Sequence, residues 1–334
     1  MTGAVSLLEK LKNVRVLVIG DIMLDHYLWG DVHRISPEAP VPVVHAIRDT
    51  YTAGGAANVA LNLTNIGVHT TLIGHIATDE AGQRLANILS DNGVELINLN
   101  HNSDAPTIVK TRVIIRNQQL CRIDREVSRD KYQLDNLPDF HSVLESALNK
   151  VDAVIISDYA KGVITQPLIN FILTKADTGS NFLVAIDPKP ARKLSFVGAG
   201  LLTPNRQEAL ELAGLDINHD EEYPLEEVCS QIYKMYAPHL LVITLGAEGM
   251  AICKDGKVET RLATEAREVF DVSGAGDTVI ATLAAALASG INSYQSASLA
   301  NGAAGCVVEH MGTVPVKIEE LQKWLENNIE RFNV

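Results

Sequence analysis

Cysteine is scarce in this chain of 334 residues: Cys121, Cys229, Cys253 and Cys306 lie far apart, with no CxxC pair. That spacing excludes the usual structural zinc frameworks and is the pattern of a reduced cytoplasmic protein. Long hydrophobic runs are missing as well. None reaches the roughly 18 residues that cross a bilayer, and Glu9, Lys10, Lys12 and Arg15 interrupt the stretch where a signal peptide would be apolar. Positive charge is in the minority: 28 Lys and Arg against 41 Asp and Glu leave a net charge of −13. This argues against general nucleic-acid binding and against an anionic membrane surface. Two glycine signatures are absent. No GxxxxGK[ST] occurs, since Gly256-Lys257 is followed by Val258, and no GxGxxG occurs, since Gly274-x-Gly276 continues to Val279. The first absence removes the common P-loop; the second weakens a nicotinamide dehydrogenase.

What is present is a globular composition, 46% hydrophobic, with slightly positive mean hydropathy. Short β-branched runs at 14–20 (VRVLVIG), 70–76, 151–157 and in FLVAID and LLVIT read as buried strands separated by helical stretches. Polar residues recur at their exits: Asp21 and Asp25, then Asp158 and Lys161, then Asp187 and Lys189. This alternation predicts an α/β fold with a mostly parallel, doubly wound sheet whose ligands lie at the carboxyl ends of the strands. No repeat, low-complexity tract or linker interrupts it, so a single domain over 1–334 is expected. Two segments break the rhythm, about 26–53, which contains Pro37, Pro40 and Pro42, and about 106–126. In TIVKTRVIIR, Val109, Thr111, Val113 and Ile115 share one face while Lys110, Arg112 and Arg116 share the other. These segments suggest a small β lid. Its basic face is either solvated or a positive wall for an anionic small substrate, and its apolar face should pack on the 41–47 strand and on a second copy in a homodimer.

The most informative stretch is DVSGAGD, Asp271 to Asp277, preceded by the strand-like Glu268-Val-Phe and followed by an apolar helix. Amides at a helix start are unpaired and carry the positive end of the helix dipole, so Gly274, Ala275 and Gly276 form an anion site. Asp277 in that first turn either complements the dipole or takes a proton from a hydroxyl attacking a phosphoryl group. Gly54-Gly55 opens another helix and permits close backbone approach to a ligand, with Asn58 one turn in. Asn205 and Glu208, three apart, either cap a helix or meet a hydrated Mg²⁺ or a phosphate. Gly246 and Gly249 flank a tight turn that faces a nucleotide or simply joins two strands.

The ordered set GGAANVALNLTNIG, TPNRQE, TLGAEG and DVSGAGDT resembles the ribokinase-like sugar kinases, also called the phosphofructokinase-B family, along essentially the whole chain. The resemblance implies a three-layer α/β/α fold and ATP-dependent phosphorylation of a sugar hydroxyl. It implies a catalytic base at Asp277 and anion-hole amides at Gly274, Ala275 and Gly276. Mg²⁺ and phosphate groups map to Asn205 and Glu208, and nucleotide contacts to Thr244, Gly246, Gly249 and Asn301. Sugar contacts map to Asp25, Gly54, Gly55 and Asn58, with Asp21 beside them, and a monovalent-cation loop for K⁺ to Asp271 and Ser273. The family's lid often forms a dimer clasp. A substrate already bearing a phosphate needs cations remote from the transfer site; Arg112, Arg116, Lys161 and Lys189 are the candidates, with Arg34 a further one. An ordinary carboxylate pKa suffices for Asp277 in a loose transition state. Nearer relatives have a glycine where Ala160 precedes Lys161-Gly162, and no nucleotidyltransferase domain is expected after the helix at 318–332. A non-catalytic sugar-binding regulator would carry much of the same pattern.

Overall fold

Apolar β-branched runs pair into sheets because both of their faces are buried, and the helices between them must cover those faces. The computed structural model describes residues 3–99, 104–116, 118–178, 182–217, 222–266, 272–310 and 312–332. A first helix, α1 (Gly3–Leu11), leads to the central strand β1 (Arg15–Gly20). Two long strands follow directly, β2 (Ile22–Ile35) and β3 (Pro42–Gly55). Next come α2 (Ala56–Asn65), β4 (His69–Ile73), α3 (Glu80–Asp91) and β5 (Glu95–Ile97). A hairpin, β6 (Ile108–Ile115) and β7 (Gln118–Arg125), precedes α4 (Phe140–Leu148), β8 (Ala153–Ser157) and α5 (Gln166–Asp177). The chain goes on through β9 (Leu183–Asp187), β10 (Leu201–Leu202), α6 (Arg206–Ala213) and α7 (Leu225–Tyr236). Then β11 (Leu240–Thr244), β12 (Met250–Lys254) and β13 (Lys257–Leu262) precede α8 (Ala275–Ala288), α9 (Ser293–Val308) and α10 (Ile318–Asn327).

The large sheet has nine strands in the order β13-β12-β11-β10-β9-β8-β1-β4-β5. Pairing is parallel from β11 to β5, and β12 and β13 are antiparallel. Residues of α1, α2, α3, α8, α9 and α10 bury one face, and residues of α4 to α7 bury the other. Strand order reverses at β1, which lies between β4 and β8. Such a switch point opens a crevice at the carboxyl ends of the strands, here at Gly20–Asp21 and Ser157–Asp158. Helix α8 is buried from Asp277 to Ala286, since its small apolar residues are packed against the sheet, α2 and α9. That packing, rather than local propensity, anchors its first turn over the crevice.

A second sheet of four strands, in the order β3-β2-β6-β7, stands beside the first. Here the expected neighbours are corrected: the 41–47 segment belongs to β3 and pairs with β2, and it is β2 that adjoins β6. Which strands meet is decided by the β1-to-β2 continuation, which no local pattern encodes. Cys229 on α7 and Cys253 on β12 are brought side by side, because α7 packs over the β12–β13 edge and brings together residues that a spacing rule does not link. The expected helix at 318–332 divides into α10 and a 3₁₀ turn at Ile329–Phe332. The strand-like Glu268-Val-Phe and Asp271 lie outside the described residues.

Candidate active site

Gly274 precedes α8 with φ 83°, and Asp277 sits in the first turn. A Cβ on Gly274 would lie 2.8 Å from Asn58 Nδ2, so this left-handed, crowded position demands glycine. Gly276, in contrast, is exposed, and a Cβ there would meet nothing within 4 Å. The amide end of α8 thus opens outward at 276 while Asp277 turns inward, 3% exposed. Its Oδ1 accepts from the Tyr159 hydroxyl at 2.7 Å and its Oδ2 from Asn58 Nδ2 at 2.8 Å. Burial pushes Asp277 up to about 6 against the pull of these two donors, above the ordinary carboxylate range that would already suffice for the task. Asn62 steadies Asn58 by donating to its carbonyl oxygen.

Asp21 is fully buried and accepts backbone N–H bonds from Tyr159, Lys161 and Val163, each at 2.9 Å. It therefore clamps the loop after β8, and its own pKa is raised by burial in spite of those donors. Gly54 and Gly55 do make close approaches, but in this structure to acids of the chain itself. A Cβ on Gly54 would lie 2.4 Å from Asp25 Oδ2, and one on Gly55 (φ 60°) 2.4 Å from the Asp21 carbonyl oxygen.

The basic residues of the small sheet divide by face. Asp25, Lys110 and Asp124 are register partners, as are Tyr27, Arg112 and Arg122, so these share one face of the sheet. Arg112 donates to Asp25 Oδ1 at 2.5 Å, and Lys110 Nζ lies 5.4 Å above the Tyr159 ring. Burial lowers the pKa of Lys110. Lys161, from the loop after β8, pairs with Glu126 at 2.5 Å. Lys110 thus approaches the Tyr159–Asp277 pair, with Arg112 on Asp25 and Lys161 on Glu126, whereas Arg116, past an irregularity at Val113/Ile114, is exposed at the hairpin end. Arg34 is exposed near the far end of β2. Lys189 lies apart from them, bound to Glu208 Oε1 at 2.8 Å; burial opposes its charge, and this bond outweighs it and raises its pKa.

Asn205 and Glu208 form a reciprocal capping box at the start of α6. The capping alternative is what their side chains do here, with Glu208 also holding Lys189. Desolvation, then the Glu208 and Asp277 carboxylates, push Asp187 well above the ordinary range. Next to Asp187 in sheet register stand Ser157 on β8 and Thr203 beyond β10, whose buried hydroxyls have no hydrogen-bond partner among the described residues. Crowded acids with orphan oxygens suit a cation there. Thr244 bridges to Asn205, Gly246 (φ 64°) and Gly249 (φ 89°) turn β11 into β12, and Asn301 donates to the Ala263 carbonyl oxygen at 2.6 Å. Ser273 lies just before α8 and is half-buried.

Sequence reasoning missed Tyr159, Lys110 as an inward cation, and Thr313, which bonds Tyr27 and Asp25. SDYAKG placed Tyr159 at a strand exit, but nothing local says where its ring points. Two clefts among the described residues lie away from Asp277. One of about 800 Å³ is at the amino ends of β1, β4 and β5, and one of about 190 Å³ is on the outer face of the small sheet beside α3.

The amide end of α8, a buried acid and a half-buried lysine meet near one switch point, within a fold that known proteins share. Among solved structures, a ribokinase from Arabidopsis thaliana complexed with ribose and ATP superimposes with a TM-score of 0.72 at 19% identity, covering 94% of this chain and 99% of that one. Phosphofructokinase-2 from Escherichia coli in complex with substrates and products gives 0.75 at 17% identity, with 94% and 99% covered. These share the ribokinase-like fold. In sequence, a protein described as bifunctional protein HldE from Desulfatibacillum aliphaticivorans is 40% identical over 313 residues, 94% of this chain. One of the same description from Methylobacillus flagellatus is 40% identical over 314 residues, also 94% of this chain. The chain spans 63% and 64% of the length of these two relatives. The model of the pfkB family carbohydrate kinases matches residues 13–320, nearly the full chain, and the chain belongs to that family: it is a phosphotransferase with an alcohol group as acceptor.

Proposed function

We propose that this kinase phosphorylates a sugar that already bears a phosphate, D-glycero-D-manno-heptose 7-phosphate, on its anomeric O1 at the expense of ATP. The product, heptose 1,7-bisphosphate, would feed ADP-heptose and lipopolysaccharide core synthesis in the cytoplasm. The observation that carries the reading is the gathering of Lys110, Arg112 and Lys161 where the small sheet meets the loop after β8, in a protein of charge −13. The stretches GDIMLDHYLWGDVHRISPEAPVPVV, TRVIIRNQQLCRIDRE, SDYAKG and DPKP, which resemble heptose 7-phosphate kinases, support it, as do the relatives described as HldE.

In this mechanism O1 attacks the γ-phosphorus, the bond to the β–γ bridging oxygen breaks, and Asp277 takes the O1 proton late. Amides at Gly274 and Gly276 would stabilise charge on the transferring oxygens, and that of Ala275 would join them on leaving the Val272 carbonyl oxygen, to which it donates at 3.2 Å. Mg²⁺, when bound, neutralises charge on the nucleotide phosphates. Asn205 and Glu208 would hold it through water, with Glu208 released from Lys189, and Thr244, Gly246, Gly249 and Asn301 would border the nucleotide. A K⁺ ion at the loop of Asp271 and Ser273 is part of the same proposal. Asp25, Gly54, Gly55 and Asn58 would contact the sugar around Asp21. Arg112 and Lys161 would hold the 7-phosphate, with Arg116 and Lys189 less favourably placed. The small sheet acts as a lid within a single kinase domain, and its exposed Ile47 (64%) and Ile123 (58%) would be covered in a homodimer.

One observation favours a second reading, a kinase for a neutral sugar: Arg112 and Lys161 are already paired with Asp25 and Glu126. ADP release with a panel of neutral sugars and sugar phosphates decides between them. The heptose phosphate should give the highest kcat/KM. Preference for neutral sugars, together with unchanged KM in Arg112→Glu, would contradict the phosphate anchor.

A further inference from the structure

We propose that Tyr159 is the positioning residue for the Asp277 carboxylate, and that Lys110, reaching over its ring from β6, ties that position to the small sheet. The proposal rests on Asp277 being the base. Tyr159 is well placed for the task because its backbone is not free to drift: its N–H and those of Lys161 and Val163 are held by buried Asp21. A tyrosine on an anchored backbone has only two torsions, so its hydroxyl marks a point in space. That point is 2.7 Å from Asp277 Oδ1, while Asn58 holds Oδ2 from α2. Two donors, on separate oxygens and from separate elements, fix both the place and the plane of the carboxylate. Each oxygen keeps a further acceptor direction for a substrate hydroxyl.

Lys110 supplies the link to the small sheet. It is half-buried, no carboxylate lies within ion-pair distance of it among the described residues, and its Nζ stands 5.4 Å from the Tyr159 ring centroid. A desolvated cation over an aromatic face is attracted to it, so the ring and β6 move together. The groups that bear on Asp277 are Asp25 from β2, Lys110 from β6, Tyr159 from the loop after β8 and Asp187 from β9, with Asn58 from α2 as neutral donor. Of these, only Tyr159 both touches the carboxylate and touches the small sheet's lysine.

The test is a ¹³C-carboxyl NMR titration of Asp277 in the ligand-free full chain, run beside pH profiles of kcat/KM, for wild type, Tyr159→Phe, Lys110→Met and the double variant. Loss of a hydrogen bond to the charged form should move the Asp277 midpoint upward in Tyr159→Phe by about one pH unit. The acidic limb of kcat/KM should move with it, and kcat should fall about tenfold with KM for sugar unchanged. Lys110→Met should shift the midpoint the same way, and the double variant should shift less than the two single shifts combined. An unmoved midpoint in Tyr159→Phe overturns the positioning role. A lower KM with unchanged kcat overturns it too, since the phenol would then only occupy the place of the substrate hydroxyl. Additive shifts overturn the link through Lys110. Because the NMR midpoint needs no turnover, a wild type that transfers no phosphoryl group while the midpoint still moves leaves the positioning role standing and rejects only the reading of Asp277 as base.

Discussion

At the scale of single residues, Asp277 owes its chemistry to where the first turn of α8 is pinned. Burial raises its pKa to about 6, and the Asn58 and Tyr159 donors limit that rise. A base must be ionised to accept a proton, so kcat/KM should fall about tenfold per pH unit below about 6. A profile flat down to pH 5 would show that its ionisation is not required. The sequence made Asp277 legible because a first-turn acid after glycines is a local pattern. Tyr159 was not legible, since the direction of a side chain on an irregular loop depends on Asp21, 138 positions away. Ala160 shows a different limit. It holds φ 57°, a left-handed conformation costing a non-glycine residue about 1–2 kcal/mol, which is a physical reason to expect glycine at such a position. Ala160→Gly should therefore raise stability by about 1 kcal/mol, read from denaturant midpoints; a lower midpoint would contradict this.

At the scale of elements, the start of α6 carries two roles that substitution can separate. Asn205→Ala removes the cap bonds to Gln207 and Glu208 and should cost about 1 kcal/mol of stability. Glu208→Gln keeps a side chain able to accept from the Asn205 amide but loses the charge that meets Lys189. If Glu208 serves Mg²⁺ as proposed, this variant should show near-normal stability and a raised KM for Mg²⁺·ATP. Normal kinetics in Glu208→Gln would leave it a capping residue. Strands and helices of the large sheet were readable because each buries a face with its own periodicity. Pairing in the small sheet was not, because β2 reaches β3 and β6 through topology rather than through any neighbouring residue. The inward aim of Lys110 and Arg112 was half visible: alternation separated the basic face from the apolar one, and only the fold shows that the basic face meets Asp25 and Tyr159.

At the scale of the whole molecule, four carboxyls bind protons more tightly in the folded chain than in an unfolded one. Asp277 and Asp158 rise to about 6, and Asp21 and Asp187 also rise, all chiefly through desolvation. Between the unfolded values near 3.8 and these raised ones, the folded state holds more protons, so stability grows as pH falls. His75, whose pKa burial lowers, acts the other way below about 6.5 but is a single group. The Tm should accordingly be higher at pH 5.5 than at pH 7.5, and Asp158→Asn should shrink the difference. A Tm that is lower at pH 5.5 than at pH 7.5 in both proteins would contradict the placement of these acids. The same crowding of acids near Asp187, with the orphan hydroxyls of Ser157 and Thr203, is what a cation would relieve.

The central claim is that the amide end of α8 and the acid behind it move a phosphoryl group from ATP to a phosphorylated sugar. Transfer of γ-labelled phosphate from ATP to heptose 7-phosphate, wild type against Asp277→Asn, measures it directly. Label should appear on the sugar's anomeric oxygen in the wild type and fall by about 10²–10⁴ in the variant, with folding unchanged. Equal transfer by the two proteins, or none from ATP to any sugar phosphate in the wild type, would contradict the account.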